Sequence, residues 1–295
     1  MCVSAARNLA MSTCTSAIVV CGKLDWMLHH GRAPRWREGC RFLIITDDVP
    51  VEAVGENIFR VPVPDFPRCM HHLSVDPDWR KGLVEKASLN KEKLDQRLAK
   101  RNSSIHMLLP THWEAVGAIR SVLDERKLND SIVVSEGANT MDVVRVALDR
   151  VSKPRRRLDA GRWGTMGAGL GFALAASILH RNELVISVHG DSAFGFSGME
   201  LETLVRYKCK VLVIVFNNGG IYTGASDNAT AFNPNVRHDR LMEALGGVGL
   251  RGRGDLKPLL HQAMDLVLKE GKYPVLLDIL IDPESGTLSG SLSKM

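Results

Sequence analysis

The stretch GDSAFGFSGMELETLVRYKCKVLVIVFNNGG, residues 190 to 220, decides the fold. The apolar run Val211 to Phe216 predicts a buried strand after a helix, and the run Leu184 to His189 predicts another strand before it. Parallel strands joined by one helical crossover end at the same edge of a sheet. The stretch therefore predicts a parallel α/β unit in which Asp191 and Asn218, 27 positions apart, follow neighbouring strand ends.

The chain around this stretch continues the same alternation. Thr111 and Glu114 have capping-box spacing, which predicts a helix start. Its apolar stripe comprises Val116, Ile119, Val122 and Leu123. The other predicted elements are strands Ser131 to Val134 and Pro274 to Ile281 and helices Met141 to Arg150, Gly167 to Leu179, Gly198 to Tyr207, Arg240 to Leu245 and Leu256 to Lys269. This pattern indicates an α/β fold with a doubly wound, mainly parallel sheet.

The first third of the chain has a different organisation. Two β-rich runs, Ser16 to Cys21 and Cys40 to Asp48, predict half of a Rossmann-like sheet. A charge-dense stretch with few apolar residues follows and predicts a solvated helical linker. The predicted organisation is a partial Rossmann-like domain over 1–75, a charged linker over 76–110, the parallel α/β domain over 111–290 and a tail over 291–295.

Composition excludes several classes of protein. The 295 residues are 45% hydrophobic and 24% charged, as in ordinary globular chains, so disorder is not expected. The net charge of +5 comes from scattered residues, which argues against a nucleic-acid partner but allows a pocket for a polyanionic small molecule. The most apolar stretch, Gly167 to Leu179, is too short to span a membrane. Six cysteines without CxxC spacing predict free thiols.

The two loops of the opening stretch carry groups that suit a magnesium ion. Magnesium prefers oxygen ligands and is commonly held by one or two protein groups together with phosphate. Asp191 offers a carboxylate, Asn218 an amide oxygen and Gly220 a backbone carbonyl. The alternative is that GDS only ends a strand and NNGG only makes a turn. Because both occur together at crossover spacing, we favour a cation and diphosphate site.

Three segments offer further contacts to a diphosphate ligand. The helix expected after Asp191 directs N–H groups of Ser192 and Ala193 towards it, next to Gly190. The loop from Ser135 to Thr140 offers N–H groups and the Asn139 side chain, with a helix N-cap at Asn139 or Thr140 as the compatible alternative. The glycine-rich segment from Gly164 to Gly171 permits close approach of the backbone and adds Thr165 and Met166 as candidate contacts.

These motifs resemble the thiamine diphosphate signature of the 2-hydroxyacyl-CoA lyase and oxalyl-CoA decarboxylase group. The GDS and NN ends carry the resemblance, and the GTMGxGLG segment reinforces it. It implies thiamine diphosphate and Mg²⁺ as cofactors. It also implies that Met166 is the apolar side chain that bends the cofactor, and that Tyr222 faces the diphosphate and the reacting carbon. Packing of Met166 or Tyr222 in the core is the structural alternative.

The resemblance implies an activity and a location. The reaction is cleavage of a 2-hydroxyacyl-CoA into formyl-CoA and a fatty aldehyde one carbon shorter, as in fatty acid α-oxidation. The C-terminal Ser293-Lys294-Met295 is a variant of a peroxisomal address, and lyases of this group are commonly peroxisomal. This terminus favours the lyase over an oxalyl-CoA decarboxylase, which shares the other motifs. A third alternative is a thiamine enzyme that acts on free 2-oxo acids.

The chain also departs from the group. The resemblance covers the C-terminal half of such enzymes, and the N-terminal pyrimidine-binding domain with its glutamate is expected to be absent. Residues 286 to 291, GTLSGS, replace the acidic and basic residues of a lid over the acyl-CoA. We therefore expect little turnover by the chain alone and a homo-oligomer or a full-length subunit as partner. A non-catalytic, truncated paralogue is the competing hypothesis.

Overall fold

The chain divides into two compact units, residues 2–93 and residues 94–294. A computed structural model describes residues 4–20, 24, 26–46, 53–55, 57–62, 74–99, 109–148, 156–161, 163–221, 229–271 and 274–285. None of the helices in these ranges is long and apolar enough to cross a membrane. Each unit has its own sheet and its own hydrophobic core.

The first unit contains a four-stranded sheet in the order β1-β2-β4-β3. Its elements are α1 (Ser4–Thr13), β1 (Ser16–Val20), a 3₁₀ helix (Trp26–Gly31), β2 (Arg41–Thr46), β3 (Ala53–Gly55) and β4 (Ile58–Pro62). The strands β1, β2 and β4 are parallel, and β3 is antiparallel to β4. The two predicted strands are present. Sequence analysis missed β3, which is only three residues long, and β4, whose apolar run is interrupted by Arg60 and Pro62.

The predicted charged linker contains a long helix, α2 (Pro77–Ala99). None of its described residues is buried, which agrees with its charged sequence and the sparse apolar positions. The boundary between the two units falls within this helix, at residues 93 and 94.

The second unit contains a six-stranded sheet in the order β6-β5-β7-β8-β10-β9, with every pair parallel. Its strands are β5 (Ile132–Glu136), β6 (Arg157–Asp159), β7 (Val185–Gly190), β8 (Val211–Asn217), β9 (Val248–Gly252) and β10 (Val275–Leu280). Its helices are α3 (His112–Glu125), α4 (Ala138–Ala147), α5 (Gly169–Leu179), α6 (Asp191–Gly195), α7 (Glu200–Arg206), α8 (His238–Ala244) and α9 (Lys257–Leu268). The predicted α/β fold with a mainly parallel sheet is confirmed.

Two hydrophobic clusters cover the two faces of this sheet. Successive residues of a strand point to opposite faces, so Leu212 and Ile214 join one cluster while Val211 and Val213 join the other. Helices α3, α4 and α9 supply the first cluster, and α5, α7 and α8 supply the second. Burial on both faces explains why every residue of β5 and β8 is buried.

Local signals set several helix ends. The Thr111 side chain accepts the Glu114 N–H at 3.3 Å, and Glu114 Oε2 accepts the Thr111 N–H at 2.8 Å, which confirms the predicted capping box. The prediction of an N-cap at Asn139 or Thr140 is wrong. Helix α4 begins at Ala138 because Gly137, with φ of 97°, makes the turn from β5 three residues earlier than expected.

Two strands of the second sheet have no clear sequence signal. Strand β6 is three residues long and polar, and β9 contains two glycines. Gly249 is required in β9, because a Cβ there would lie 2.1 Å from the Asp239 carbonyl oxygen. Both strands therefore form through pairing and close packing with neighbours rather than through an apolar period of their own.

Candidate cofactor site

Asp191 and the Asn218-Gly219-Gly220 turn meet at the carboxyl edge of the second sheet. Strands β7 and β8 are parallel neighbours, with Gly190 paired with Phe216. The Oδ2 atom of Asp191 accepts the N–H of Gly219 at 2.8 Å and the N–H of Gly220 at 3.0 Å. The two loops that the sequence placed at this edge are therefore in direct contact, and the Asn218 side chain is buried beside them.

The Asp191 carboxylate is almost completely buried, at 2% exposure. Burial raises its pKa because the charged form loses water, while hydrogen bonds from Ser192, Gly219 and Gly220 oppose the rise. The N–H of Ser192, expected to face a diphosphate, here donates to Asp191 Oδ1 at 2.6 Å. A neighbouring cation would also stabilise the charged carboxylate.

Gly220 is held tightly from the other side of the turn. It forms a β-bridge with Ala231, and a Cβ at Gly220 would lie only 2.6 Å from the Thr230 carbonyl oxygen. The neighbouring Gly219 carbonyl accepts the Phe232 N–H at 2.8 Å. Glycine is therefore needed at position 220 for this close approach of two backbones. Tyr222, a predicted site residue, lies outside the described residues.

The loop between β5 and α4 lies against Gly190. A Cβ on Gly190 would be 3.2 Å from Thr140 Oγ1, and a Cβ on Gly137 would be 3.1 Å from the Gly190 nitrogen. Thr140 is buried, and the Asn139 Oδ1 atom is buried without a hydrogen-bond partner in the described part of the chain. Buried polar atoms normally have partners, so Asn139 Oδ1 is a spare acceptor in the loop that contacts Gly190.

The glycine-rich segment lies beside the same loop and strand. Gly167 has a φ of 88°, and a Cβ there would lie 3.1 Å from Phe196 Cβ. Thr165 is exposed and Met166 is partly buried. The Ala168 N–H donates to Glu136 Oε1 at 2.8 Å, which fixes the start of α5 to the end of β5.

Sequence analysis missed a buried polar chain under these loops. His189 Nδ1 lies 3.0 Å from Glu136 Oε2, and His189 Nε2 lies 2.6 Å from Ser187 Oγ. All three side chains are at most 1% exposed. The sequence offered one signal, because Glu136 and His189 lie at or near the carboxyl ends of apolar strands. The register of β5 and β7 then pairs these two residues.

A second missed polar cluster lies behind the Asn218 turn. Asn217 Nδ2 donates to Asp278 Oδ1 at 3.0 Å, and His238 Nδ1 lies 3.3 Å from the same oxygen. Arg251 Nε is 3.6 Å from Asp278 Oδ2. The cluster ties β8, α8, β9 and β10 together directly before the turn.

The donor set suits magnesium held jointly with phosphate. Within the described ranges, no three His, Cys, Asp or Glu side chains cluster closely enough to hold a metal ion. A cation at this edge would therefore use one carboxylate with amide and carbonyl oxygens, as Mg²⁺ sites shared with phosphate do.

Comparisons with known proteins show what the chain is similar to. A family profile described as thiamine pyrophosphate enzyme, C-terminal TPP binding domain, matches residues 136–279. The 2-hydroxyacyl-CoA lyase of Arabidopsis thaliana is 38% identical over 319 residues, covering 98% of this chain and 53% of that protein. The oxalyl-CoA decarboxylase of Escherichia coli strain K12 is 33% identical over 312 residues, covering 99% of this chain and 52% of that protein.

A solved structure supports the fold. The X-ray structure described as a thiamin diphosphate-dependent enzyme isolated from Mycobacterium smegmatis superposes with a TM-score of 0.65 at 18% identity. The match covers 94% of this chain and 50% of that chain. At this identity the likeness concerns the fold alone.

The fold, the site segments and the profile define a class of protein. The chain carries the C-terminal TPP binding domain of the thiamine pyrophosphate enzymes over residues 136–279. Within that class it is a relative of the 2-hydroxyacyl-CoA lyases and the oxalyl-CoA decarboxylases, which confirms the resemblance seen in the sequence. The chain spans about half the length of the curated relatives it matches.

Proposed function

We propose that the chain forms the diphosphate-binding half of a thiamine diphosphate- and Mg²⁺-dependent lyase. The reaction would cleave a 2-hydroxyacyl-CoA into formyl-CoA and a fatty aldehyde one carbon shorter. The observation that carries the proposal is the contact of the buried Asp191 carboxylate with the Gly219 and Gly220 N–H groups at the carboxyl edge of the sheet. Similarity to 2-hydroxyacyl-CoA lyases supports the choice of substrate.

Each part of the site has a proposed task. Asp191, Asn218 and the Gly220 carbonyl would hold Mg²⁺. The proposed contacts to the thiamine diphosphate are Asn139, Thr140, Thr165, Met166, Gly190, Ser192, Ala193 and Tyr222. The buried, unpartnered Asn139 oxygen fits this assignment, because turning the amide by 180° presents its N–H₂ group to a ligand instead. When bound, the cofactor supplies the carbon nucleophile and electron sink for carbon–carbon cleavage.

The residues of this chain orient and neutralise the ligand. Asp191 must be ionised to bind a cation, and its backbone hydrogen bonds keep the carboxylate aimed along the turn. Met166 would pack an apolar surface against the bent cofactor, while Tyr222 would face the reacting carbon. These two roles rest on the family resemblance.

The remaining half of the site is proposed to come from another polypeptide segment. A homo-oligomer or a full-length subunit with a pyrimidine-binding domain is the proposed partner, because the family resemblance implies that such a domain contributes to the site. An acyl-CoA is the proposed substrate, and the terminal Ser293-Lys294-Met295 supports a peroxisomal location.

One alternative has support of its own. The similarity to the Escherichia coli enzyme favours an oxalyl-CoA decarboxylase-like activity as the second candidate. A formyl-CoA assay with 2-hydroxyacyl-CoA or oxalyl-CoA, with and without a full-length relative, separates these functions. Normal turnover by the chain alone would contradict the proposed need for a partner.

Calorimetric titration with thiamine diphosphate tests the site itself. We expect Mg²⁺-dependent binding to the unchanged chain and an affinity at least about 100-fold lower for Asp191→Ala, because a metal ligand is removed. Glu202→Ala is the matched control, since it removes an exposed carboxylate from α7. Equal heats for the unchanged chain and Asp191→Ala would refute the site.

A further inference from the structure

Glu136 connects three of the segments that the proposed function assigns to the cofactor. It is the last residue of β5 and begins the loop that contains Asn139 and Thr140. Its Oε1 atom accepts the Ala168 N–H at 2.8 Å, at the end of the glycine-rich turn. Its Oε2 atom lies 3.0 Å from His189 Nδ1, two residues before Asp191.

The Glu136 carboxylate sets the donor and acceptor roles in the hydrogen bonds that run from Glu136 through His189 to Ser187. A carboxylate only accepts, so the arrangement that satisfies each group puts a proton on His189 Nδ1. The His189 Nε2 atom then accepts the Ser187 hydroxyl at 2.6 Å. His189 and Ser187 are completely buried, so the carboxylate contacts protein groups of fixed position.

The backbone around Glu136 is shaped for this contact. A Cβ at Gly169 would lie 2.7 Å from both Glu136 Oε2 and His189 Cε1, so only glycine allows α5 to approach so closely. Ala168 is the N-cap residue of α5, and its N–H has no acceptor within the helix. The side chain of Glu136 satisfies this donor from another element.

A buried charged group is a weak source of stability, because desolvation offsets its favourable interactions. The contribution of Glu136 is therefore the positioning of the groups that it contacts. We propose that Glu136 is a positioning residue that holds the Gly164 to Ala168 turn, and with it Met166, in place relative to Asp191. The inference rests on the proposed function for its consequence in cofactor binding, whereas the anchoring of the turn is testable without any cofactor.

Two substitutions separate the reach of the side chain from its charge. Glu136→Gln keeps the length and an oxygen that can accept the Ala168 N–H. Its amide N–H₂ can donate to His189 Nδ1 when the ring proton is on Nε2 and is donated to Ser187 Oγ. Glu136→Asp keeps the charge but is one methylene shorter, so its carboxylate is withdrawn from that N–H. The readout is amide hydrogen exchange over residues 164–171, measured by mass spectrometry without ligand.

We expect Glu136→Asp to raise exchange in this segment at least about tenfold and Glu136→Gln to leave it near that of the unchanged chain. The Mg²⁺-dependent affinity for thiamine diphosphate should fall about tenfold in Glu136→Asp, because one buried hydrogen bond is lost. Glu136→Gln should retain the affinity of the unchanged chain. Leu260→Ala is the control for general destabilisation, because Leu260 is buried in the cluster on the face of α3 and α9. It should lower the melting temperature and leave exchange over 164–171 unchanged.

The outcomes distinguish this inference from the proposed function. Unchanged exchange in Glu136→Asp, or exchange in Glu136→Gln as fast as in Glu136→Asp, overturns the positioning role. Absence of thiamine diphosphate binding by the unchanged chain refutes the proposed function and leaves the exchange result to decide the anchoring. Should Glu136→Asp not fold, Glu136→Gln decides alone, since faster exchange with the acceptor retained would overturn the role.

Discussion

The two ends of strands β7 and β8 differ sharply in chemistry. Towards their amino ends, both strands consist of completely buried apolar residues such as Val185, Ile186 and Leu212. Towards the carboxyl edge, they and their loops bury His189, Asp191 and other polar groups. Burial of apolar groups stabilises the fold, whereas burial of polar groups costs free energy unless each is hydrogen-bonded. The strand interiors therefore maintain the sheet, and the carboxyl edge carries polar groups for which stability alone gives no reason.

Two of the eight buried side-chain atoms without a hydrogen-bond partner in the described ranges, Ser135 Oγ and Asn139 Oδ1, belong to the carboxyl end of β5 and the loop that follows it. Local violations of packing rules concentrate at functional sites, because the rest of the fold tolerates their cost. Substitutions at the two ends should consequently affect different measurements.

The largest effect on stability is expected in the apolar part of the strands. Leu212→Ala removes a completely buried side chain of the cluster below α3 and α9, and should lower the free energy of unfolding by about 2–5 kcal/mol. Urea unfolding measures the loss, and titration with Mg²⁺ and thiamine diphosphate should give an unchanged affinity for the folded protein. A marked drop in affinity would show that a substitution in the apolar part of the strands also disturbs the site at the carboxyl edge.

The next effect is a pH dependence of stability that comes from His112 at the carboxyl edge of the sheet. His112 begins α3, packs edge-on against Phe216 and shares a 2.8 Å hydrogen bond with Ser285 Oγ. Burial lowers its pKa from 6.5 to about 4. The unfolded chain therefore binds a proton at a pH where the folded chain does not. The contribution of His112 to the free energy of unfolding is fully present above pH 6.5 and is lost as the pH falls through about 4.

This contribution amounts to roughly 3 kcal/mol between neutral pH and pH 4. His112→Asn cannot be protonated in this range, so the difference in unfolding free energy between the two proteins should shrink by that amount on acidification. Urea unfolding at several pH values between 7 and 4 measures it. Parallel losses of stability in both proteins would contradict a buried, neutral His112.

The smallest effect is expected at the other end of the same helix. The exposed Glu125 accepts hydrogen bonds from Lys257 at 2.8 Å and Ser121 at 2.9 Å, and the bond from Lys257 is the main cause that lowers its pKa to about 2. Solvent and salt screen such surface pairs. Glu125→Gln should leave the urea midpoint unchanged within error at neutral pH and at high salt. A clear loss would show that this surface pair, unlike most, stabilises the helix.

Local sequence signals predicted most of the second unit. The capping box at Thr111, the apolar runs of β7 and β8 and the crossover between them all appear where expected. The same signals placed Asp191 and the Asn218 turn at one edge, and the structure puts them in contact. Strands β6 and β9 were missed because they depend on their neighbours. The start of α4 was misplaced because Gly137 turns the backbone at a positive φ.

The sequence by itself determined the periodic elements and the chemical types at the strand ends, because these depend on neighbours within a few positions along the chain. Only the tertiary structure decided which polar groups meet. Glu136 lies 53 positions from His189 and 32 from Ala168, and the pairing of β5 with β7 and the approach of α5 bring them together. Parallel sheets join residues that are distant in sequence, so a contact between side chains on different strands follows from register and packing rather than from local pattern.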